Sequence, residues 1–213
     1  MNGGFFITLE GGEGAGKSTQ IARLATALSA EGRKVLQTRE PGGAPGAERI
    51  RSVILDPSAE LDGLSLAMLF AAARHDHLRA TIRPALASGA VVLCDRFLDS
   101  TRAYQGAAGD VAEADLLALE AVSVGATRPN LTLILDLPPE EGLARALARR
   151  GSFTAEGPDR FEARKLGFHR AVREGFLAIA RAEPERCVLI DAMQAADDVF
   201  AACKAAIDTR LSP

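Results

Sequence analysis

Eight consecutive residues constrain this chain more than any others. The run Gly11-Gly12-Glu13-Gly14-Ala15-Gly16-Lys17-Ser18 fits GxxxxGK[ST] and follows the apolar stretch Phe5–Glu10 directly. Behind it Ile21, Leu24, Ala25 and Leu28 recur at i, i+3, i+4, i+7, so the run joins a buried strand to an amphipathic helix. Glycines let the backbone curl into a ring whose N–H groups point inward, and a helix opening near Lys17 adds its positive end. Such a ring is built for phosphate. Lys17 is placed to bridge the β- and γ-phosphates of a nucleoside triphosphate and Ser18 to hold Mg²⁺, with Gly11 through Thr19 forming the cradle.

The rest of the chain repeats the strand-then-helix pattern. Apolar runs at Phe5–Glu10, Lys34–Glu40, Ala90–Asp95, Leu131–Leu137 and Arg186–Ala192 predict five strands. Most are nearly unbroken, as in parallel strands buried on both faces. Helical spacing returns in Val199, Phe200, Cys203 and Ile207. The alternation predicts an α/β fold in three layers, a five-stranded parallel sheet flanked by helices. Ligands of such sheets bind beyond the carboxyl ends of the strands. The polar motifs fall there: Gly11–Ser18 after the first strand, Arg39–Gly43 after the second, Asp95-Arg96 after the third.

A length of 213 residues fits one domain, residues 1–213. Charged residues at 25% and apolar ones at 47% describe an ordinary globular protein. A formal charge of −3 argues against a general affinity for nucleic-acid backbone but leaves room for a single nucleotide. Met1 to Leu9 lacks a basic leader, and the uncharged stretch Gly63–Ala73 is far shorter than the ~20 residues of a spanning helix. No membrane association and a cytoplasmic location are therefore expected. Cys94, Cys187 and Cys203 are widely spaced, which predicts small buried residues and neither disulfides nor zinc. His75, His77 and His169 lack ligand spacing and are read as non-catalytic. The stretch Arg149–Asp159, rich in Gly, Ser, Thr and charge, reads as a mobile loop.

A phosphate loop alone does not separate a kinase from a GTPase, a motor or a transporter. No NKxD stretch for reading guanine is present, and the length is short for a motor or AAA-type module. The remaining motifs decide. Over nearly its whole length the chain resembles bacterial thymidylate kinases. The likeness is carried by Glu10 through Thr19, Thr38-Arg39-Glu40-Pro41-Gly42-Gly43, Asp95-Arg96-Phe97 and Ala103-Tyr104-Gln105-Gly106, with Asp159-Arg160-Phe161-Glu162 and Phe168-His169 behind. The resemblance implies the P-loop nucleoside monophosphate kinase fold and transfer of the γ-phosphate of ATP to dTMP, with Mg²⁺, in a homodimer.

It also implies residue roles. Phe70 stacks on thymine and Arg74, four residues on and on the same helical face, donates to the base's carbonyl edge. Arg96 grips the dTMP phosphate with its planar fork, and Asp95 lies near the magnesium or its waters. Arg39 is a second phosphate or acceptor contact. Tyr104 lies where a ribose 2′-hydroxyl would stand, and Glu13 accepts from the sugar 3′-hydroxyl. Ser100, Thr101 and Gln105 are further base or sugar contacts. Gly14-Ala15 offers no arginine inside the phosphate loop, so the resemblance puts the catalytic arginine in a lid at about 149–160. Arg149 is the first choice, with Arg150 and Arg160 as alternatives. Two features depart from the family pattern: additional lid residues around Ser152–Pro158, and Arg164-Lys165 where acidic side chains are more frequent. Helices near 65–85 and 111–125, rich in Ala and Leu, are candidates for the dimer face.

Overall fold

A computed structural model describes residues 3–56, 58–150, 161 and 164–211, the side chains of residues 149 and 150 excepted. Its centre is a parallel sheet in the order β2-β3-β1-β4-β5. The strands are β1 (Phe5–Glu10), β2 (Val35–Arg39), β3 (Val91–Asp95), β4 (Leu131–Asp136) and β5 (Cys187–Asp191). Each lies within a residue or two of its predicted bounds.

The three central strands, β3, β1 and β4, are buried on both faces, which is why they read as continuous apolar runs, while the edge strands β2 and β5 are partly exposed. From one face Ile7, Leu9, Leu93, Leu133 and Ile190 pack on helices α1 (Lys17–Ala30) and α9 (Ala196–Arg210). The periodic residues Leu24 and Leu28 are fully buried there, each contributing about 1.5–3 kcal/mol relative to exposure. From the other face Phe6, Val92 and Cys94 pack beneath Leu78, Ile82, Phe97 and Leu98, and Ile134 packs beneath Val172 and Phe176. That layer holds α3 (Gly63–His77), which runs through a π-helical turn, Leu78–Ile82, into α4 (Arg83–Ala87). It also holds α5 (Leu98–Thr101), a second π-helical segment (Arg102–Ala107), α6 (Glu113–Ser123) and α8 (Leu166–Ala182). Further short elements are α2 (Pro45–Leu55) and α7 (Pro139–Arg150).

Polar residues inside the sheet are paired. The hydroxyls of Thr8 and Thr132, both fully buried, bond each other at 2.8 Å, as a buried polar group requires. Strand β1 pairs with β3 on one side and β4 on the other. The chain therefore leaves β1 at the point where the strand order reverses, opening a crevice beyond its carboxyl end. The residues following β1, β2 and β3 meet at that edge.

Candidate active site

The loop after β1 has the backbone its glycines allow. Gly11, Gly14 and Gly16 have φ of 134°, 68° and 89°. At Gly14 a side chain would also strike the carbonyl of Gly142 in α7, so glycine is required on both counts. Gly16 caps α1 without a side-chain acceptor, which leaves the first-turn amides of the helix for a ligand. A cavity of about 150 Å³ lies against this turn, lined by Glu13 to Thr19 with Asp95 and Arg96. Lys17 Nζ donates to the carbonyls of Gly11 at 3.1 Å and Gly12 at 2.8 Å, closing the ring from within. Burial, and then repulsion from Arg96, lower the Lys17 ammonium to about 8. Added negative charge would offset this lowering, as expected of a group that meets phosphate.

A second cavity of about 320 Å³ adjoins the first, and the two share Glu13, Ser18, Asp95 and Arg96. Arg96 stands at the junction in the left-handed region, φ 65°. This conformation is uncommon for a residue with a side chain and concentrates at functional sites. Its position is fixed by the backbone bond to Leu9 O at 3.0 Å and by Glu10. Glu10 accepts from Phe97 N at 2.7 Å and from Ser100 Oγ at 2.6 Å. Burial and the neighbouring Asp99 raise the Glu10 carboxyl to about 7. The Arg96 guanidinium donates to Gly11 O at 3.0 Å, Ser100 Oγ at 3.2 Å and Glu13 Oε1 at 2.7 Å, and lies 5.0 Å over the ring of Tyr104. Burial would raise Glu13, but Arg96, Lys17 and the Tyr104 hydroxyl at 2.8 Å outweigh it and hold the carboxyl down at about 2. Glu13 is thus an anion at any physiological pH. Ser18 Oγ donates to Asp95 Oδ2 at 2.7 Å beside both cavities. Two hard oxygen donors there fit Mg²⁺, which takes few protein ligands and completes its shell with water and phosphate.

The wall of the second cavity is aromatic and cationic. Phe70 and Arg74 both face it from α3. Arg74 is 2% exposed. Its Nε bonds Glu40 Oε2 at 2.7 Å, and its Nη2 bonds Phe97 O at 3.0 Å and Thr101 Oγ1 at 3.1 Å. Among the described residues Nη1 makes no hydrogen bond, so its two protons are left for a ligand. Gln105 and Tyr104 also line the cavity, both buried. Ser100 and Thr101 line it too, with their hydroxyls engaged by Glu10, Arg96 and Arg74. Arg39 reaches the rim half-exposed, tied to Glu48 Oε1 at 3.1 Å.

Sequence reasoning missed several supports. Glu40 and His77 join Arg74 in a buried chain, Thr38 Oγ1 to His77 Nε2 at 2.6 Å and His77 Nδ1 to Glu40 Oε1 at 3.1 Å. Glu40 sits where β2 meets the sheet edge that holds Asp95, a placement that could have flagged it. Arg51 and Phe161 also line the cavity. The Phe161 ring lies 6.1 Å from Phe70 and 5.8 Å from Tyr104, completing an aromatic rim. The backbone of Arg149 and Arg150 continues α7 and is not loop. Their side chains, all of residues 151–160 and hence Arg160 and most of the expected lid lie outside the described residues.

The thymidylate kinase family model matches residues 9–202, from the end of β1 into α9. The chain belongs to the thymidylate kinase family. It is 55% identical to the thymidylate kinase of Caulobacter vibrioides over 212 residues, 99% of each chain. It is 58% identical to that of Rhodopseudomonas palustris over 198 residues, 92% of this chain and 85% of the relative. Among solved structures, the thymidylate kinase of Ehrlichia chaffeensis superposes with a TM-score of 0.76 at 31% identity, covering 97% of this chain and 99% of the other. The family match takes in both cavities, the turn after β2 and residues 151–160. Both cavities therefore lie within the thymidylate kinase module.

Proposed function

We infer that the chain transfers the γ-phosphate of ATP to dTMP, giving dTDP and ADP on the route to dTTP. The observation that carries this reading is the meeting of two cavities of different character at Glu13, Ser18, Asp95 and Arg96. The polar cavity at the start of α1 takes the triphosphate. The aromatic and cationic one takes the acceptor, whose phosphate then points at the γ-phosphate.

Phosphoryl transfer between two polyanions needs positive charge and alignment more than covalent chemistry. Lys17 exchanges its loop carbonyls for the β- and γ-phosphates. Arg96, already desolvated and aimed at the junction, holds the acceptor phosphate with little ordering left to do. Arg74 Nη1 donates to the carbonyl edge of thymine while Phe70 covers its face. Glu13 accepts from the 3′-hydroxyl, and the Tyr104 ring, locked between Arg96 and Glu13, closes the space a 2′-hydroxyl would need. Gln105, Ser100, Thr101 and Arg39 complete the acceptor wall. Ser18 and Asp95 would hold Mg²⁺, which supplies charge neutralisation at the bridging oxygens when bound. No general base is required, because the acceptor phosphate already bears a nucleophilic oxygen.

Residues 149–160 act as the lid of a single domain and bring Arg149, Arg150 or Arg160 to the transferred group. Among the described residues no helix is long and apolar enough to cross a membrane, which supports a cytoplasmic enzyme. The exposed Leu64 and Met68 of α3 and Leu117 and Val122 of α6 support a homodimer formed through those helices.

The test is an acceptor panel of dTMP, dUMP, dCMP, AMP and GMP with ATP and Mg²⁺, read as ADP release. Turnover that depends on dTMP and far exceeds that with the purines is expected. ADP release indifferent to the acceptor would overturn the reading.

A further inference from the structure

The geometry assigns Arg102 as a positioning residue for the acceptor cavity, acting through the π-helical segment Arg102–Ala107. The inference rests on the reading of that cavity given above. One face of the segment carries Tyr104 and Gln105 into the cavity. The other carries Arg102, Gly106 and Ala107 toward α6 and α8. A π-helical turn is a widened, irregular piece of backbone, so its placement depends on what holds it from behind.

Toward α8 the segment is packed, with Ala103 and Tyr104 against Val172, Phe176 and Ile179; toward α6 its backing is open. Between the segment, α6 and α8 lies a cavity of about 610 Å³, bordered by Leu116 and Ile179. The segment approaches α8 closely at Gly175, where an added Cβ would come within 2.7 Å of Ala107 Cβ. Across the cavity the tie is ionic. Arg102 Nε and Nη2 take both oxygens of Glu120 on α6, the latter at 2.7 Å, and Nη1 donates to Glu183 Oε1 at 2.6 Å beyond the end of α8. Glu120 is 5% exposed. The clamp is anchored in turn: Arg186 bonds Glu183 Oε2 at 2.8 Å and forks onto the fully buried Asp99 at 2.7 and 2.9 Å. One guanidinium therefore spans the void and ties the turn that carries Tyr104 to two separate helical elements. An arginine suits this because its planar fork engages a carboxylate in two directions at once, which a lysine does not.

The consequence is a split between the two substrates. Without the clamp the turn loses its tie to α6 and Glu183, and the backbone that seats Tyr104 and Gln105 loosens on that side, while the phosphate loop, held by β1, α1 and α7, keeps its place. Arg102→Met should raise KM for dTMP at least about tenfold, less than the ~10²-fold that a full ångström of misplacement can cost, with KM for ATP changed less than about twofold. Arg102→Lys should fall between Met and wild type.

Because Arg102→Met leaves Glu120 buried without its main partner, the double variant Arg102→Met/Glu120→Met is measured beside it. It should recover thermal stability yet retain the raised KM for dTMP. The inference is overturned if folded Arg102→Met binds dTMP normally. It is equally overturned if both KM values rise together, or if the double variant recovers KM for dTMP along with stability. If Arg102→Met does not fold, the lysine and double variants carry the same comparison. A wild-type protein without dTMP-dependent turnover would instead overturn the underlying reading, so the two failures are distinguishable.

Discussion

Removing the Glu40 carboxylate should cost both stability and acceptor binding, and the structure sets the size of each. Glu40 is the counter-ion of Arg74 at 2.7 Å and a partner of His77 at 3.1 Å, with the side chains of all three no more than 3% exposed. Glu40→Ala therefore leaves a guanidinium charged in a site with almost no water. Breaking one side of a buried pair costs roughly 3–5 kcal/mol. For a domain of this size each kcal/mol lowers Tm by about 2–4 °C, so a fall of roughly 6–20 °C is expected. Glu40→Gln keeps an acceptor but not the charge and should lose about half as much. Because Arg74 also faces the acceptor cavity, KM for dTMP should rise about tenfold or more while KM for ATP moves little. The assays are thermal unfolding by circular dichroism and steady-state kinetics with each substrate varied in turn. A Glu40→Ala protein within 2 °C of wild type, or one whose two KM values rise equally, would refute the reasoning.

Lys17→Ala should fold normally and lose about 10²-fold or more in kcat, because the charge developing on the transferred phosphoryl group is left uncompensated; near-normal turnover would remove Lys17 from the mechanism. The pH profile follows from the same residue. Its folded pKa, about 8, lies below the unfolded value of 10.5, so Lys17 is charged below pH 8 and neutral above it. The ratio kcat/KM for ATP, which reports the free protein, should fall above pH 8 and kcat at a higher pH, since bound phosphate restores the proton. The depressed pKa also means that charged Lys17 weakens the fold below pH 8, an effect relieved as pH rises from 8 toward 10.5. Glu13 works the other way: with its carboxyl at about 2, below the ordinary 4.5, it adds stability above pH 4.5 that is lost as pH falls toward 2, and Glu13→Gln should flatten unfolding profiles across that window. Cys94, Cys187 and Cys203 are buried, and burial raises all three thiols, the latter two to about 12. Ellman's reagent at pH 8 should therefore label them only at the rate of unfolding, and immediate labelling of the native protein would contradict the packing.

Features encoded by local pattern were legible in the sequence. The strands lie where the apolar runs predicted, since a strand buried on both faces has to be apolar at nearly every position. Leu24, Leu28, Cys203 and Ile207 face the core as their spacing required. The phosphate loop was legible because glycine, Lys17 and Ser18 each serve a distinct geometric need within eight residues. The acceptor cavity was legible only through resemblance, because its walls come from segments separated by 23 to 34 residues, as the bonds of Arg74 to Phe97 and Glu40 illustrate. Phe70 and Arg74 share a helical face, but spacing cannot tell whether that face meets solvent or a cavity. The supports were hidden for the same reason. Nothing near His77 in the chain announces Glu40 or Thr38, and nothing near Arg102 announces Glu120 and Glu183. The π-helical segments carry no simple periodic signal, so nothing in the local pattern announced the turn bearing Tyr104.

The central claim is that one cavity holds the acceptor and the adjoining one the donor, meeting at Arg96. A crystal structure with dTMP and a non-hydrolysable ATP analogue tests it most directly. The account predicts thymine between Phe70 and Arg74, the dTMP phosphate on Arg96, and the γ-phosphate group on Lys17. Thymine bound elsewhere, or the two phosphates lodged too far apart for transfer, would contradict it.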